Sequence, residues 1–199
     1  LVNDQHNRFR VVLAGLNNVN RFRTYPNVPL QQLGSPLEVG VLGSRDARAL
    51  ILQPISALGY RFETPELVDR IMAFTNRHPS LLHIFCGELV EYLARENQTN
   101  DPYVIRQTDI ESIESDKEVR KLSADRLDMT LNLDKRYTVV IYGLLDDDIQ
   151  GGNRSFSVTK ALSIARVWVP EEFATMTEAS FETLLMELVG LGVLQQNDN

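Results

Sequence analysis

In TPELVDRIMAFTNRHPSLLHIFCGELVEYL, residues 64–93, two helix starts stand close together. Thr64 is a good cap, Pro65 suits the first helical position, and Glu66 places an acid in the first turn. Apolar residues then recur at helical spacing until Asn76–Pro79 breaks the chain, and Pro79 opens a second helix that extends through Leu93. The stretch therefore predicts two successive helices joined by a polar turn.

Composition narrows the class of protein. The chain has 199 residues, 43% of them hydrophobic and 24% charged, which is typical of a soluble globular protein. No apolar run approaches the roughly 20 residues that a membrane helix needs, and the amino end does not resemble a signal peptide. The single Cys86 excludes an internal disulfide. A reducing, cytoplasmic location is expected, without membrane attachment, and the net charge of −7 weakens a role in nucleic-acid binding.

Upstream of these two helices the sequence pattern changes. Residues Arg8 to Ala14 are β-branched and apolar, as in a strand buried on both faces, and Leu37 to Leu42 is predicted as a second short strand. A helix is predicted from Ser44 as its cap to Gly59, with Pro54 expected to kink or break it. The first methionine is Met72, so the chain is interpreted as a fragment cut from a longer parent on its amino side.

Downstream, the polar residues 97–102 indicate a linker and a domain boundary near Gln98. Further helices are predicted from Thr108, through Val119 to Leu131, from Asp134, from a Ser157 cap and from Thr177. Asp146–Asp148 with Gly151 and Gly152 is predicted as an acidic, flexible turn, and Gly190 to Leu194 as a strand. Three helices followed by a strand is the order of a winged helix domain, whose second wing strand would follow Asn199.

Sequence motifs for catalysis are few. The chain contains no GxxxxGK[ST], GxGxxG, GxSxG or HExxH motif and no paired CxxC. His78 and His83 have poor spacing for a metal, and the apolar surroundings of Cys86 should leave its thiol inert. Two polar features remain: Asn17 and Asn18 at the carboxyl end of the first predicted strand, and the NRHPSLL turn. An amide at a strand end can orient a water or a phosphate oxygen, although periodicity alone favours the interpretation that these asparagines cap a turn.

At these residues the sequence resembles bacterial STAND-type ATPases of the AAA+ superfamily. The resemblance covers nearly the whole chain and is carried by RFRVVLAGLNNVNRF, PLQQLGSPLEVGVL, ARALILQPISALGYRF, LVDRIMAFTNRHPSLLHIFCGELVEYL, ARVWVPEEF and FETLLMELVGLGVL. It implies a mainly α fold with a small α/β remnant at the start, a helical lid, and then a winged helix domain. Residues 1–98 would be the end of the nucleotide-binding domain plus the lid, and residues 99–199 the winged helix domain with a truncated wing.

The resemblance also implies a function. The chain would be part of an ATP-dependent signalling switch whose P-loop and Walker B strand precede residue 1. ATP or ADP with Mg²⁺ would bind the intact parent, whereas the fragment alone should neither bind nucleotide tightly nor hydrolyse it. Asn18 corresponds to the sensor 1 residue with Asn17 second, and Arg21 is a candidate to act on a neighbouring subunit. Pro79 would pack beside the adenine with His78 as the weaker candidate, and Arg77 could meet a phosphate.

Partners follow from the same patterns. The missing nucleotide-binding half and an effector protein are expected, and exposed strand edges predict self-association. From Asp134 onward ten acidic residues oppose five basic ones, and the predicted helix Thr177 to Val189 has three glutamates and no lysine or arginine. This charge argues against DNA. Two alternatives stay open: a winged helix DNA-binding regulator, and a protein-interaction module that does not depend on nucleotide.

Overall fold

The structure is a computed structural model that describes residues 39–96, 103–150 and 155–196, all within one compact unit that begins at Val39. This part of the chain is mainly helical with a small two-stranded parallel sheet, which confirms the predicted mainly α class. Its helices and strands are α1 Ser44–Ala57, β1 Arg61–Phe62, α2 Pro65–Phe74, α3 Pro79–Glu96, β2 Val104–Ile105, α4 Gln107–Ser115, α5 Lys117–Leu131, α6 Lys135–Ile149, α7 Val158–Trp168, α8 Pro170–Phe173 and α9 Glu178–Gly190.

The start of α1 differs by one residue from the prediction, since Gly43 is the N-cap and Ser44 is the first helical residue. Of the kink or break predicted at Pro54, the break is wrong, because the helix continues to Ala57, and the kink stays a prediction. A proline inside a helix costs about 3 kcal/mol. Ile51 and Ile55, on either side of it, are buried in the core and hold both parts of the helix in place.

The two helices α2 and α3 and the break between them are confirmed. Thr64 is the extended N-cap residue and Pro65 opens α2, while Pro79 opens α3. The Glu66 side chain is exposed, and hydrogen bonds from its own backbone and from the Thr64 hydroxyl lower the pKa of Glu66. The local signals in this stretch therefore determine both helix starts.

The strands differ from the prediction. Residues 39–42, the described part of the predicted strand Leu37 to Leu42, form no strand. The described sheet instead pairs β1 with β2 in parallel, Arg61 opposite Val104 and Phe62 opposite Ile105. Each strand has two residues, too few to show a period of two, so sequence patterning did not reveal them. The predicted strand Arg8 to Ala14, and with it the α/β remnant at the start, lies outside the described residues.

Two hydrophobic cores lie along the described chain. The first core is formed by α1 to α4, β2 and the start of α5, and the second by the end of α5 together with α6 to α9. Gln98 lies outside the described residues, and the first core contains residues from both sides of it. The boundary near Gln98 stays a prediction.

Two C-terminal predictions are wrong within the described residues. Asp146–Asp148 belong to the last turns of α6, not to a flexible turn, and Asp147 accepts a 2.7 Å hydrogen bond from the Lys160 ammonium group. Gly190 ends α9, and residues 191–196 form no strand. The Val193 N–H donates to the Leu188 carbonyl at 3.0 Å and the Gly192 N–H to the Val189 carbonyl at 2.9 Å. These are the bonds of a Schellman motif, which leave those groups unavailable to a strand ladder.

Candidate functional site

The turn between α2 and α3 has unusual backbone geometry. The Arg77 N–H donates to the Met72 carbonyl at 3.1 Å and the Asn76 N–H to the Ala73 carbonyl at 3.3 Å, so α2 ends in a Schellman motif centred on Asn76. The same motif ends α1 at Gly59 and α9 at Gly192, where glycine takes the positive φ without strain.

In the α2 motif two non-glycine residues have positive φ in succession. Asn76 has φ 47° and Arg77 has φ 56°. Asparagine tolerates this region better than most residues, whereas an arginine there costs about 1–2 kcal/mol. Strain of this kind persists only where surrounding contacts hold it, and here those contacts extend in two directions.

Arg77 extends toward the start of α1. Its Nη1 donates to the Ser44 hydroxyl at 3.2 Å, and its carbonyl accepts from the Leu42 N–H at 3.1 Å. The N-cap Gly43 has no side chain to cap the first N–H groups of α1. A guanidinium beside a helix start is an arrangement that suits an anionic group such as a phosphate.

Asn76 extends toward the turn that follows α9. Its Nδ2 donates to the Gly192 carbonyl at 3.2 Å, across 116 residues of sequence, and its Oδ1 accepts from the Gln195 amide. Gly192 is closely surrounded: a Cβ there would lie 2.8 Å from Val41 Cγ1 and 3.0 Å from His78 Cδ2. Three segments, 41–44, 76–80 and 192–195, therefore meet at one place, which we call the junction.

His78 lies on the α3 side of the junction. Its Nδ1 is 2.9 Å from the Ser80 hydroxyl, which also accepts a 3.2 Å hydrogen bond from Arg126 Nε. Burial, and secondarily the positive charge of Arg126, lowers the pKa of His78. The imidazole is therefore held neutral, and it packs beside Gly192 rather than carrying a charge into the junction.

The structure thus brings together the predicted residues Arg77, His78 and Pro79 in one turn, whereas Asn17, Asn18 and Arg21 lie outside the described residues. Sequence reasoning missed the remaining members of the junction. One signal was present, because an asparagine just after the last apolar residue of a helix is a known helix-ending signal. The partners that sequence alone could not supply are Ser44, Ser80, Arg126, Gly192 and Gln195.

Other chemistry in the described residues is limited. Burial raises the pKa of the Cys86 thiol to about 11, which makes it a poor nucleophile. Within these residues no group of three or more His, Cys, Asp or Glu side chains is arranged to hold a metal ion. None of the described helices combines the length and the apolar character needed to cross a bilayer.

Comparisons with known proteins identify no relative. No protein-family model, no curated protein and no solved structure matches this chain.

Proposed function

We propose that the chain is the sensor, lid and winged helix part of an ATP-dependent signalling switch, and that the junction passes the nucleotide state to the C-terminal helices. One observation carries the proposal: two adjacent residues in left-handed conformation extend in different directions. Arg77 bonds to the start of α1, and Asn76 bonds to the turn after α9. A change at one residue therefore alters the backbone that holds the other.

The strain and hydrogen-bond energies at the junction are comparable with the coupling energies of allosteric proteins. The left-handed conformation of Arg77 stores about 1–2 kcal/mol, and each hydrogen bond contributes about 1 kcal/mol. Coupling between two sites in allosteric proteins is typically about 1–3 kcal/mol. A nucleotide phosphate that drew the Arg77 guanidinium away from Ser44 would release strain in the turn and weaken the contacts that Asn76 makes.

Other parts of the nucleotide site would come from residues outside the described part of the chain. In this proposal Asn18, with Asn17 second, senses the γ-phosphate, and Arg21 acts on a neighbouring subunit. Among the described residues, Pro79, with His78 as the weaker candidate, would pack beside the adenine. Mg²⁺ and the phosphates would be held by a P-loop half that this chain lacks, so the chain alone does not hydrolyse ATP.

The C-terminal helices fit a role in contacting protein better than one in contacting DNA. Helix α9, the candidate recognition helix, contains no lysine or arginine. Its Glu187 is buried and accepts a 2.7 Å hydrogen bond from the Tyr137 hydroxyl. A wing strand would have to begin after Gln196, because residues 191–196 form the Schellman turn and its continuation.

The first experiment is to sequence the gene upstream of Leu1. A GxxxxGK[ST] loop followed by an apolar strand that ends in two acidic residues is expected. Neither motif within about 150 residues, the length of one domain, would overturn the proposal. The protein that the gene encodes is then digested with trypsin in Mg-ADP and in a non-hydrolysable Mg-ATP analogue, and the two digestion patterns should differ.

A matched pair of variants tests the junction itself. Arg77→Gln should abolish the difference between the two digestion patterns. Arg45→Gln should keep the difference between the patterns. Arg45 lies at the start of α1, the helix that Arg77 contacts, but its side chain is 98% exposed. If both variants keep the difference, the junction does not carry the signal. Identical patterns in the unaltered protein would favour a nucleotide-independent interaction module, and tight binding of labelled duplex DNA would favour the DNA-binding alternative.

A further inference from the structure

In the described sheet, β1 has a strand on one side only. The Arg61 N–H donates to the Tyr103 carbonyl at 3.1 Å, on the side of β2. The Glu63 N–H likewise donates to the Ile105 carbonyl at 2.9 Å. Since alternate residues of a strand direct their backbone groups to opposite edges, the N–H and the carbonyl of Phe62 face away from β2. An edge of this kind can add a strand from another chain.

A hollow of about 440 Å³ runs along this outer edge of β1. Residues of α1, β1 and the start of α2 line it, among them Leu52 and Pro65. Arg61 and Phe62 both line the hollow although successive side chains point to opposite faces of a strand, and no residue of β2 is among the described lining residues. The hollow therefore lies beside the edge rather than over one face, and the described helices leave room there for another strand.

The two residues that flank Phe62 have opposite charges. Arg61 and Glu63 are exposed and lie on the same face of β1, whereas Phe62 packs against the first core. Among the ion pairs and side-chain hydrogen bonds of the described residues, none involves Arg61 or Glu63. Both charges are therefore available to a partner at this edge.

A second copy of the chain matches these charges when the two β1 strands run antiparallel about Phe62. The two-fold axis places Phe62 opposite the partner's Phe62, and the N–H of each donates to the carbonyl of the other. Arg61 then lies opposite the partner's Glu63, and Glu63 opposite the partner's Arg61. Opposite charges directly across a strand pair attract, whereas a strand with charges of one sign would repel its own copy.

We propose that the outer edge of β1 is an interface between two copies of this chain, in which residues 61–63 of both pair antiparallel and join the two small sheets into one of four strands. Sequence patterning predicted self-association through other strands, and β1 was not among them. The interface is short, so the dimer is weak, with a dissociation constant of about 1–100 μM. It requires no nucleotide and no contact at the junction, so this proposal and the proposed function can fail separately.

Sedimentation equilibrium of the unaltered 199-residue chain gives the first measurement. A monomer–dimer equilibrium is expected as the concentration rises from about 1 to 200 μM, with weaker association at higher salt because two ion pairs hold the strands. A chain that stays monomeric throughout this range would overturn the proposal.

Exchanging the charges locates the interface. Arg61→Glu and Glu63→Arg each place like charges opposite one another, so each variant alone should dimerise about tenfold more weakly. An equimolar mixture of the two should associate again, because the two acidic side chains of one variant then face the two basic side chains of the other. The doubly exchanged chain, Arg61→Glu with Glu63→Arg, should dimerise like the unaltered protein.

Arg95→Glu and Glu91→Arg on α3 are the matched controls, because both residues are exposed and the net charge changes by the same amount. Circular dichroism checks that each variant is folded. Three results would overturn the assignment: β1 variants that dimerise like the unaltered chain, controls that weaken dimerisation as much as the β1 variants do, or a mixture that associates no more tightly than its components.

Discussion

The buried polar groups of the two hydrophobic cores in the described chain have different kinds of hydrogen-bond partner. In the first core the polar groups serve their own helices. The buried Thr75 hydroxyl donates to the Ile71 carbonyl at 2.8 Å, and the buried Asp109 accepts from the Arg106 N–H at 2.8 Å to cap α4. In the second core the buried pair Tyr137 and Glu187 joins two helices across 50 residues of sequence.

This difference concerns how the helices of each core are held relative to one another. Local caps stabilise each helix without specifying its neighbour, so these buried polar groups leave the arrangement of the first core to apolar packing and to contacts at its surface. The Tyr137–Glu187 bond instead specifies how α6 lies against α9. A buried polar contact between two helices therefore helps to specify the arrangement of the second core, in addition to its apolar packing.

The largest effect should come from emptying either core. Phe85 in the first core and Phe181 in the second are almost fully buried. Replacing either by alanine should lower the free energy of unfolding by about 3–5 kcal/mol. Urea denaturation followed by circular dichroism measures the loss.

The same pair tests whether the cores are energetically separate. If they unfold together, both alanine variants shift a single transition by similar amounts. Two transitions, of which each variant shifts only one, would show that the cores unfold independently. Phe85→Leu and Phe181→Leu serve as milder variants if the alanine proteins do not fold.

The next largest loss of stability should come from removing the polar contact between α6 and α9. Tyr137→Phe removes the 2.7 Å bond to Glu187 and should lower the free energy of unfolding by about 2 kcal/mol. Tyr142→Phe, on the same helix but about half exposed, is the control and should change it by less than about 0.5 kcal/mol. Equal small losses would mean that packing alone specifies how the two helices meet.

Replacing a glycine by alanine should change stability in opposite directions inside and outside the junction. Gly192→Ala should destabilise by about 1–2 kcal/mol, because φ is +75° and the added Cβ would meet Val41 and His78. Gly87→Ala should stabilise by about 0.5–1 kcal/mol, since Gly87 lies inside α3 with nothing within 4 Å of the added Cβ. Thermal unfolding compares them, and a loss at Gly87 as large as that at Gly192 would contradict the role given to the junction.

The smallest expected effect is the pH dependence of stability that arises from His78. The pKa of His78 is lower in the folded state than the ordinary value of 6.5, so folding favours the neutral ring. The stability that this provides is present above pH 6.5 and is lost as the pH falls below it toward the folded-state pKa. His78→Gln should flatten this part of the profile, measured as the melting temperature between about pH 5 and 8.

The Arg126→Gln variant tests how much the neighbouring positive charge contributes to this pH dependence. Removing the positive charge should raise the folded-state pKa of His78 toward its ordinary value and reduce the loss of stability below pH 6.5. An unchanged profile in His78→Gln would show that another group carries the pH dependence.

Helix starts were predictable because their signals are local. Asp134, Ser157 and Thr177 each cap the helix predicted from them, with side-chain oxygens that accept N–H groups two or three residues ahead. Helix ends were less predictable. The strand predicted from Gly190 to Leu194 does not form, because the four N–H groups of residues 191–194 bond back to the last turn of α9.

The candidate site was likewise predictable from the sequence only in part. Sequence alone singled out the NRHP turn, since a polar break between two helix signals is visible along the chain. It could not show that Asn76 and Arg77 adopt left-handed conformations, because that depends on which groups receive their side chains.

The sequence by itself determined the helical class, the helix starts and the polar turn, because caps, prolines and apolar spacing act over a few residues. The tertiary structure alone decided the parallel pairing of β1 with β2, the bond between Tyr137 and Glu187, and the meeting of Asn76 with Gly192. Such contacts join residues far apart in the chain, and their partners are chosen by which apolar faces pack together. No local pattern records that choice.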